Sequence, residues 1–542
     1  MQANRLLLVS IAVLLPVALL LYLGAAPFID DEANRALVAM EMLWSGNYVT
    51  PTMHADYYYN KPPLWNWIVA LSFTSWGNLS EWAARFPSVL ALLGFAGTIY
   101  YYCRKHFSWQ RALLVALAFL TCGRVLYWES MLGLIDLSFS WAMFTLFMVV
   151  YHAGERQNWV RLFVGSYVLM TIGFMFKGLP AFVFQGATLL TYLVWRGEWR
   201  RLFSAAHIGG GLLSVALLAL YYWQYHRYNS LENVFHTLFV ESGKRTAVAQ
   251  GVGKTITHLL SFPFVLLYHF SPWSLLLLLA FNKRLRGRWH DQPFVRYCLL
   301  AFGANIIVYW LSPNFYPRYV LMLMPLLFIA GIQLLPASTD EADKSVRYLQ
   351  WVVLFLLVVL TVTAGSLPWL EATQLLPQLT LKSTLITIFL FAAVIYYYQK
   401  VAQRWYTLVV ALLIFRVGYD VVALPLKAEN SRGQVLKADC ERLADRWQDQ
   451  PLAVFHESLM EPAVSFYTQR AANRIIPRQK ANWSRDQLYL YNPDQYADTL
   501  FTSPVDSLKV RHATRGYYYL ARLRLTEPEQ IEQNTLAPSA GF

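Results

Sequence analysis

Three carboxylates stand side by side at Asp30, Asp31 and Glu32, a few positions beyond the first long apolar run of the chain. At a membrane boundary such groups are costly to keep unless they are solvated or employed. The stretch "DDEANRALVAMEML" spaces Ala33, Leu37, Met40 and Leu43 as a helix would, and acids at a helix start suit the macrodipole, with Asp30 a candidate N-cap. Capping and solvation account for Asp30 and Glu32 without any function. Asp136 stands near the outer end of an apolar run, where an ionisable residue is a functional candidate by default. The alternative for it is an interface-level position or a pairing with Arg124. Other patterns carry less. "GVGKT" at 251–255 lacks the G-x-x-x-x-G-K-[ST] spacing of a phosphate loop and any preceding strand. His236 and His258 share one loop without paired metal spacing, and the four cysteines are scattered with no C-x-x-C.

The elements that must position these residues are membrane spans. The 542 residues are 57% hydrophobic with a mean hydropathy of +0.35, which excludes an ordinary soluble domain. About thirteen runs are long enough to cross about 30 Å of hydrocarbon as helices. They lie near 6–26, 83–102, 111–128, 132–151, 161–176, 180–196, 206–225, 260–281, 296–311, 319–335, 348–366, 384–398 and 405–424. The apolar N-terminal run is longer than a signal-peptide core and reads as an uncleaved first span. With the N-terminus cytoplasmic, every inside loop carries Lys or Arg, as in "CRKHF", "RGEWRR" and "NKRLRGRWH". Much of the net charge of +13 is therefore topological, and nucleic acid is not an expected partner. The outer loops 27–82 and 226–259 are the long ones. An odd span count leaves 426–542 outside the cytoplasm, after a transmembrane domain over 1–425. There "PLAVFHE", "DQLYLYN" and "GYYYLARLRL" read as strands and "EPAVSFYTQRAAN" as a helix, giving a small α/β domain before a polar tail expected to be disordered.

In order, the DE pair, "EMLWSGNYVTP", "YYYNKPPLWNW" and "RFPSVLALL" resemble the opening of the GT-C glycosyltransferases that use polyprenyl-phosphate sugars. The branch most alike holds the bacterial lipid A aminoarabinose transferase and the protein O-mannosyltransferases. "GLIDLSFSW", "FKGLPAF", "FVESGKR" and "SPNFYPRYVLMLMPLL" extend the resemblance over about 1–335, and the span count and outer C-terminal domain agree with it. The resemblance implies an inner-membrane enzyme, N-terminus cytoplasmic and C-terminal domain periplasmic. Its donor is a sugar on undecaprenyl or similar phosphate, and its acceptor is lipid A, another glycolipid or a protein. By position in the motifs, Asp31 matches the catalytic acid and Asp136 the second acid, while Lys61 matches the lysine that meets the lipid phosphate. Arg245, Arg318 and Tyr319 are further candidates for that phosphate, since Arg suits bidentate contact. For the two arginines the alternative is snorkelling at the interface. Glu32, Arg85 and Glu241 have supporting roles. Relatives that hold a metal carry an acid and a His where this chain has Asn60 and Ser242, weak ligands both, so the expectation is a metal-independent, inverting transferase, with a divalent cation left open. The competing classes are a lipid-linked sugar transporter or flippase, against which no inverted repeat appears, and a structural membrane protein whose C-terminal domain is the functional part.

Overall fold

A computed structural model of the protein describes residues 4–29, 31–243, 252–336, 343–374, 376–429, 431–510 and 514–524. They divide into two compact units, one of residues 1–23, 60–64 and 85–424, the other of 24–59, 65–84 and 425–542.

The first unit is helical. A helix coincides with each of the thirteen apolar runs, though not always as one straight span. Among the described residues, eight helices are long and apolar enough to cross a membrane, and a bent pair makes nine. Arg5–Leu20, Pro180–Trp195 and Met324–Gln333 are apolar but shorter, and the 260–281 run is divided between Val252–His269 and a 3-10 segment, Trp273–Phe281. Helices such as Ala205–His226 and Lys344–Ser366 turn Leu212, Trp223, Phe355 and Val362 outward. Such apolar outer faces are what hydrocarbon, not water, solvates.

Two local features shape the site. The first is the bend of 47° between Trp109–Thr121 and Gly123–Met131. Thr121 turns its hydroxyl back to Leu117 O, Trp273 Nε1 donates to Thr121 Oγ1 at 2.9 Å, and Gly123 N donates to Ser271 O at 2.8 Å. A Cβ on Gly123 would lie 3.3 Å from both His269 O and Ser271 O, so this crossing is shaped for glycine. The second is a helical hairpin, Asp136–Glu155 and Trp159–Lys177, of 20 and 19 residues. Antiparallel helices of equal length bring the start of the first beside the end of the second. Asn158 caps the return by accepting from Arg161 N at 2.9 Å, and Gly178, at φ +83°, stops the second helix directly after Lys177.

The second unit is built on a five-stranded sheet of β3 (Leu452–Phe455), β4 (Arg478–Gln479), β5 (Leu488–Tyr491), β6 (Asp506–Lys509) and β7 (Tyr517–Ala521), in the order β4-β3-β5-β7-β6. β3 pairs in parallel with β4 and β5, and β7 antiparallel with β5 and β6. Every residue of β3 and β5 is buried, the mark of strands covered on both faces. Phe455, Tyr489, Tyr491, Tyr496 and Phe501 fill one side, with Tyr491 and Phe501 stacked at 3.7 Å. The three strands and the helix read from the sequence are present. The helix Arg432–Arg446, β4 and β6 were not read there. The polar tail from Thr526 lies outside the described residues.

The same unit contains the stretch that follows the first apolar helix. The helix Glu32–Ser45 leads into a hairpin of β1 (Thr52–Met53) and β2 (Asp56–Tyr57) whose tight turn puts His54 and Ala55 at positive φ. Glu41, fully buried, holds that turn: its carboxylate accepts from His54 N at 2.5 Å, Ala55 N at 3.1 Å, Thr52 Oγ1 at 2.8 Å and Gln469 Nε2 at 3.0 Å. His54 is bonded in turn to Ile476 O and Ser465 Oγ. A second acid, Glu81, takes Lys437 at 2.8 Å, Tyr467 Oη at 3.0 Å and Arg470 at 3.5 Å.

Candidate active site

The hairpin of the first unit delivers Asp136 and Lys177 to each other. Asp136 opens one helix, where a negative charge is favoured, and Lys177 closes the other, where a positive one is. The two are hydrogen-bonded and both are about 95% buried. Arg318 Nε stands 3.6 Å from the other Asp136 oxygen, so one carboxylate holds two buried cations. Tyr319 lies beneath them, its ring 4.1 Å from Lys177 Nζ. Arg318 is itself 4.8 Å from the Tyr316 ring. Lys61, which belongs to the same unit, is within electrostatic reach of Asp136. Lys177, Arg318 and Lys61 thus gather around Asp136 inside an apolar bundle, with Glu129 within electrostatic reach of the same group. Lysine and arginine side chains grouped in this way are the residue types that bind a phosphate.

The sequence expectations meet this geometry unevenly. Asp136, Arg318, Tyr319 and Lys61 are brought together. Arg124 is not the partner of Asp136; it is bonded to Glu129 at 2.6 Å, because the bend at Cys122–Gly123 gives Arg124 a nearer acid five residues on. Arg318 is not snorkelling at a surface but is 4% exposed. Arg85, 2% exposed, donates to Leu23 O at 2.9 Å, a bracing role. Glu241 lies in the helix Glu232–Gly243, while Arg245 and Gly251 lie outside the described residues. His258 is bonded to Tyr309 O and packs on Phe262 and Phe315. Among the described residues no three His, Cys, Asp or Glu side chains are grouped closely enough to hold a metal.

In the second unit Asp31 is the exposed N-cap of Glu32–Ser45, with Asn34 Nδ2 3.3 Å from its Oδ1. Asp30 is outside the described residues. Glu32 is not the solvated acid expected: it is 1% exposed, and Oε1 accepts from Ile29 N at 2.7 Å, closing the start of the helix. Arg35 on the next turn is buried, with its guanidinium 5.6 Å from the Tyr58 ring. Burial pushes the Glu41 carboxyl above its ordinary value and the His54 ring down to about 4.

Glu129, Glu41 and His54 were not singled out from the sequence, and Lys177 was read only as part of the Lys-Gly turn in "FKGLPAF", with no role at the site. Lys177 could have been singled out, as a lysine ending an apolar run of hairpin length. Glu41 carried a weaker signal, an acid among the apolar residues of "AMEML". Glu129 and His54 had none.

Known proteins fit this layout. Residues 60–223 match the family model described as dolichyl-phosphate-mannose-protein mannosyltransferase. The undecaprenyl phosphate-alpha-4-amino-4-deoxy-L-arabinose arabinosyl transferase of Edwardsiella ictaluri is 25% identical over 54% of this chain, and that of Shewanella sediminis 27% over 62%. These matches span only 54% and 61% of the relatives' own lengths. The crystal structure of ArnT from Cupriavidus metallidurans bound to undecaprenyl phosphate superposes with a TM-score of 0.68, covering 96% of this chain and 99% of that one at 17% identity. The chain therefore has the polytopic GT-C fold of that structure, with a small sheet domain at its C-terminal end.

Proposed function

We propose that this protein is a multi-pass glycosyltransferase that moves a sugar from undecaprenyl or similar polyprenyl phosphate to a lipid A-type glycolipid at the outer face of the bacterial inner membrane. The observation that carries this reading is the buried group of Lys177, Arg318 and Lys61 around Asp136, a ready-made anion site within apolar helices. An acceptor oxygen attacks the anomeric carbon, the carbon–oxygen bond to phosphate breaks, and the lipid phosphate leaves with the electron pair. The cations stabilise the charge that develops on it. Asp31 positions the acceptor when that is a phosphate, and takes its proton when it is a hydroxyl. The anomeric configuration inverts, because a single displacement has no covalent intermediate. No metal is required, since the lysines and arginine do the work of a cation. The N-terminus is cytoplasmic and residues 426–542 form the periplasmic domain.

The test is transfer of labelled sugar from undecaprenyl-phosphate donors by the purified protein, with and without EDTA, and by Asp31→Asn. Transfer that withstands EDTA and falls by about 10²-fold or more in Asp31→Asn is the expected result. Full activity of the variant sinks the role of Asp31, and movement of the lipid without transfer sinks the enzyme. The family-model match over 60–223 favours a second reading, a protein acceptor. Label appearing on protein instead of glycolipid would select it.

A further inference from the structure

We propose that Glu129 reads the donor sugar, its Oε2 accepting from a protonated amino substituent; this rests on the polyprenyl-phosphate-sugar reading above. The Glu129 side chain is fully buried. Oε1 takes Arg124 Nε at 2.6 Å, but Oε2, equally shielded, has no hydrogen-bond partner among the described residues. A buried carboxylate oxygen left in that state has lost its water without replacement, and such a group calls for an explanation. The hydroxyl of the next residue is satisfied. Ser130 Oγ donates to Leu126 O at 2.9 Å and accepts from Arg416 at 2.9 Å.

The location suits a sugar reader. Glu129 follows the bend at Cys122–Gly123 and lies within electrostatic reach of Asp136 and Arg318, the group assigned to the lipid phosphate. In a glycosyl phosphate the ring is bonded through one oxygen to phosphorus, so the sugar occupies the shell around the phosphate site in which Glu129 stands. Lys61, Lys177 and Arg318 repel a positive substituent, and Glu129 offers the compensating acceptor. A hydroxyl would fill Oε2 with one neutral bond. An ammonium adds its charge, and charge-assisted bonds are about twice as strong as neutral ones. A site built around such a bond rejects analogues that lack the donor. The amino sugar in the names of the relatives carries a group of this class.

The experiment measures binding of three probes to the full-length protein in nanodiscs: undecaprenyl phosphate, its 4-amino-4-deoxyarabinosyl derivative, and the same derivative with a 4-hydroxyl. Glu129→Gln retains an oxygen for Arg124 and places an N–H where Oε2 was. The wild type should bind the amino derivative at least about tenfold more tightly than the hydroxyl one. Glu129→Gln should lose that preference while binding undecaprenyl phosphate as the wild type does, which also shows that it is folded. The proposal is overturned if the preference survives in Glu129→Gln, if the wild type has none, or if the variant loses undecaprenyl phosphate to the same degree. A wild type that binds none of the three overturns the polyprenyl-phosphate reading itself.

Discussion

Replacing Asp136 by Asn keeps the shape of the side chain and removes its charge. Lys177 and Arg318 then lose the buried carboxylate that they share. At the 3.6 Å separation of Arg318 from Asp136, a pair of unit charges in a medium of effective dielectric about 20 interacts by about 4–5 kcal/mol. Breaking one member of a buried ion cluster destabilises by about 3–5 kcal/mol, because the remaining charges stay desolvated. The two figures agree, so Asp136→Asn should melt well below the wild type in detergent. Undecaprenyl phosphate gives the decisive arm. At about 100 times its Kd it stabilises the wild type by about 2.7 kcal/mol by mass action. In the variant its phosphate also replaces the missing anion, so the rise in melting temperature should be clearly larger than in the wild type. An Asp136→Asn protein that melts like the wild type, or a ligand shift equal in both, would refute the cluster as a charge-balanced anion site.

Two further outcomes are expected. His54, held down to about 4 by burial and by the charge of Arg478, has a folded value below the ordinary 6.5, so its contribution is complete above pH 6.5 and is lost as pH falls toward 4. That amounts to about 3 kcal/mol, opposed in sign by the raised Glu41; a melting temperature unchanged between pH 7 and 4.5, or an equal loss in His54→Gln, contradicts it. Gly154→Ala places a Cβ 2.3 Å from the ring of Tyr192, which is 1% exposed, and should cost about 1–3 kcal/mol in thermal stability while leaving the Kd for undecaprenyl phosphate alone.

Much of the bundle was legible because hydrocarbon imposes one rule: every span must be a long apolar helix. That rule places Asp136 and Lys177 at helix ends but says nothing about which ends meet, 41 positions apart in the chain. Arg124 looked the natural partner of Asp136 because it was near in sequence. Cys122–Gly123 redirected it, and a bend made by a contact to Ser271 O leaves only a glycine as its trace. The strands of the C-terminal domain were readable where both faces are buried, as in "LAVF" and "LYLY". β4, two residues long, and β6, in which only Leu508 is fully buried, lack that continuous apolar signature. Glu41 and Glu81 defied reading for another reason. Glu81 is satisfied by groups from beyond residue 430, and Glu41 by Gln469 as well as by its own hairpin, and no local pattern announces such distant partners.

The Glu41 clamp also sets a timetable for biogenesis. Its partner Gln469 is 428 positions further along the chain. At about 5–20 residues per second, the ribosome delivers that partner some 20–90 seconds after Glu41. Throughout that interval the β1–β2 hairpin has its carboxylate anchor but not the amide and carbonyl groups that later enclose it. The segment after the first apolar helix is thus among the earliest parts made and among the last to be locked, and its maturation reports that synthesis has passed Gln469.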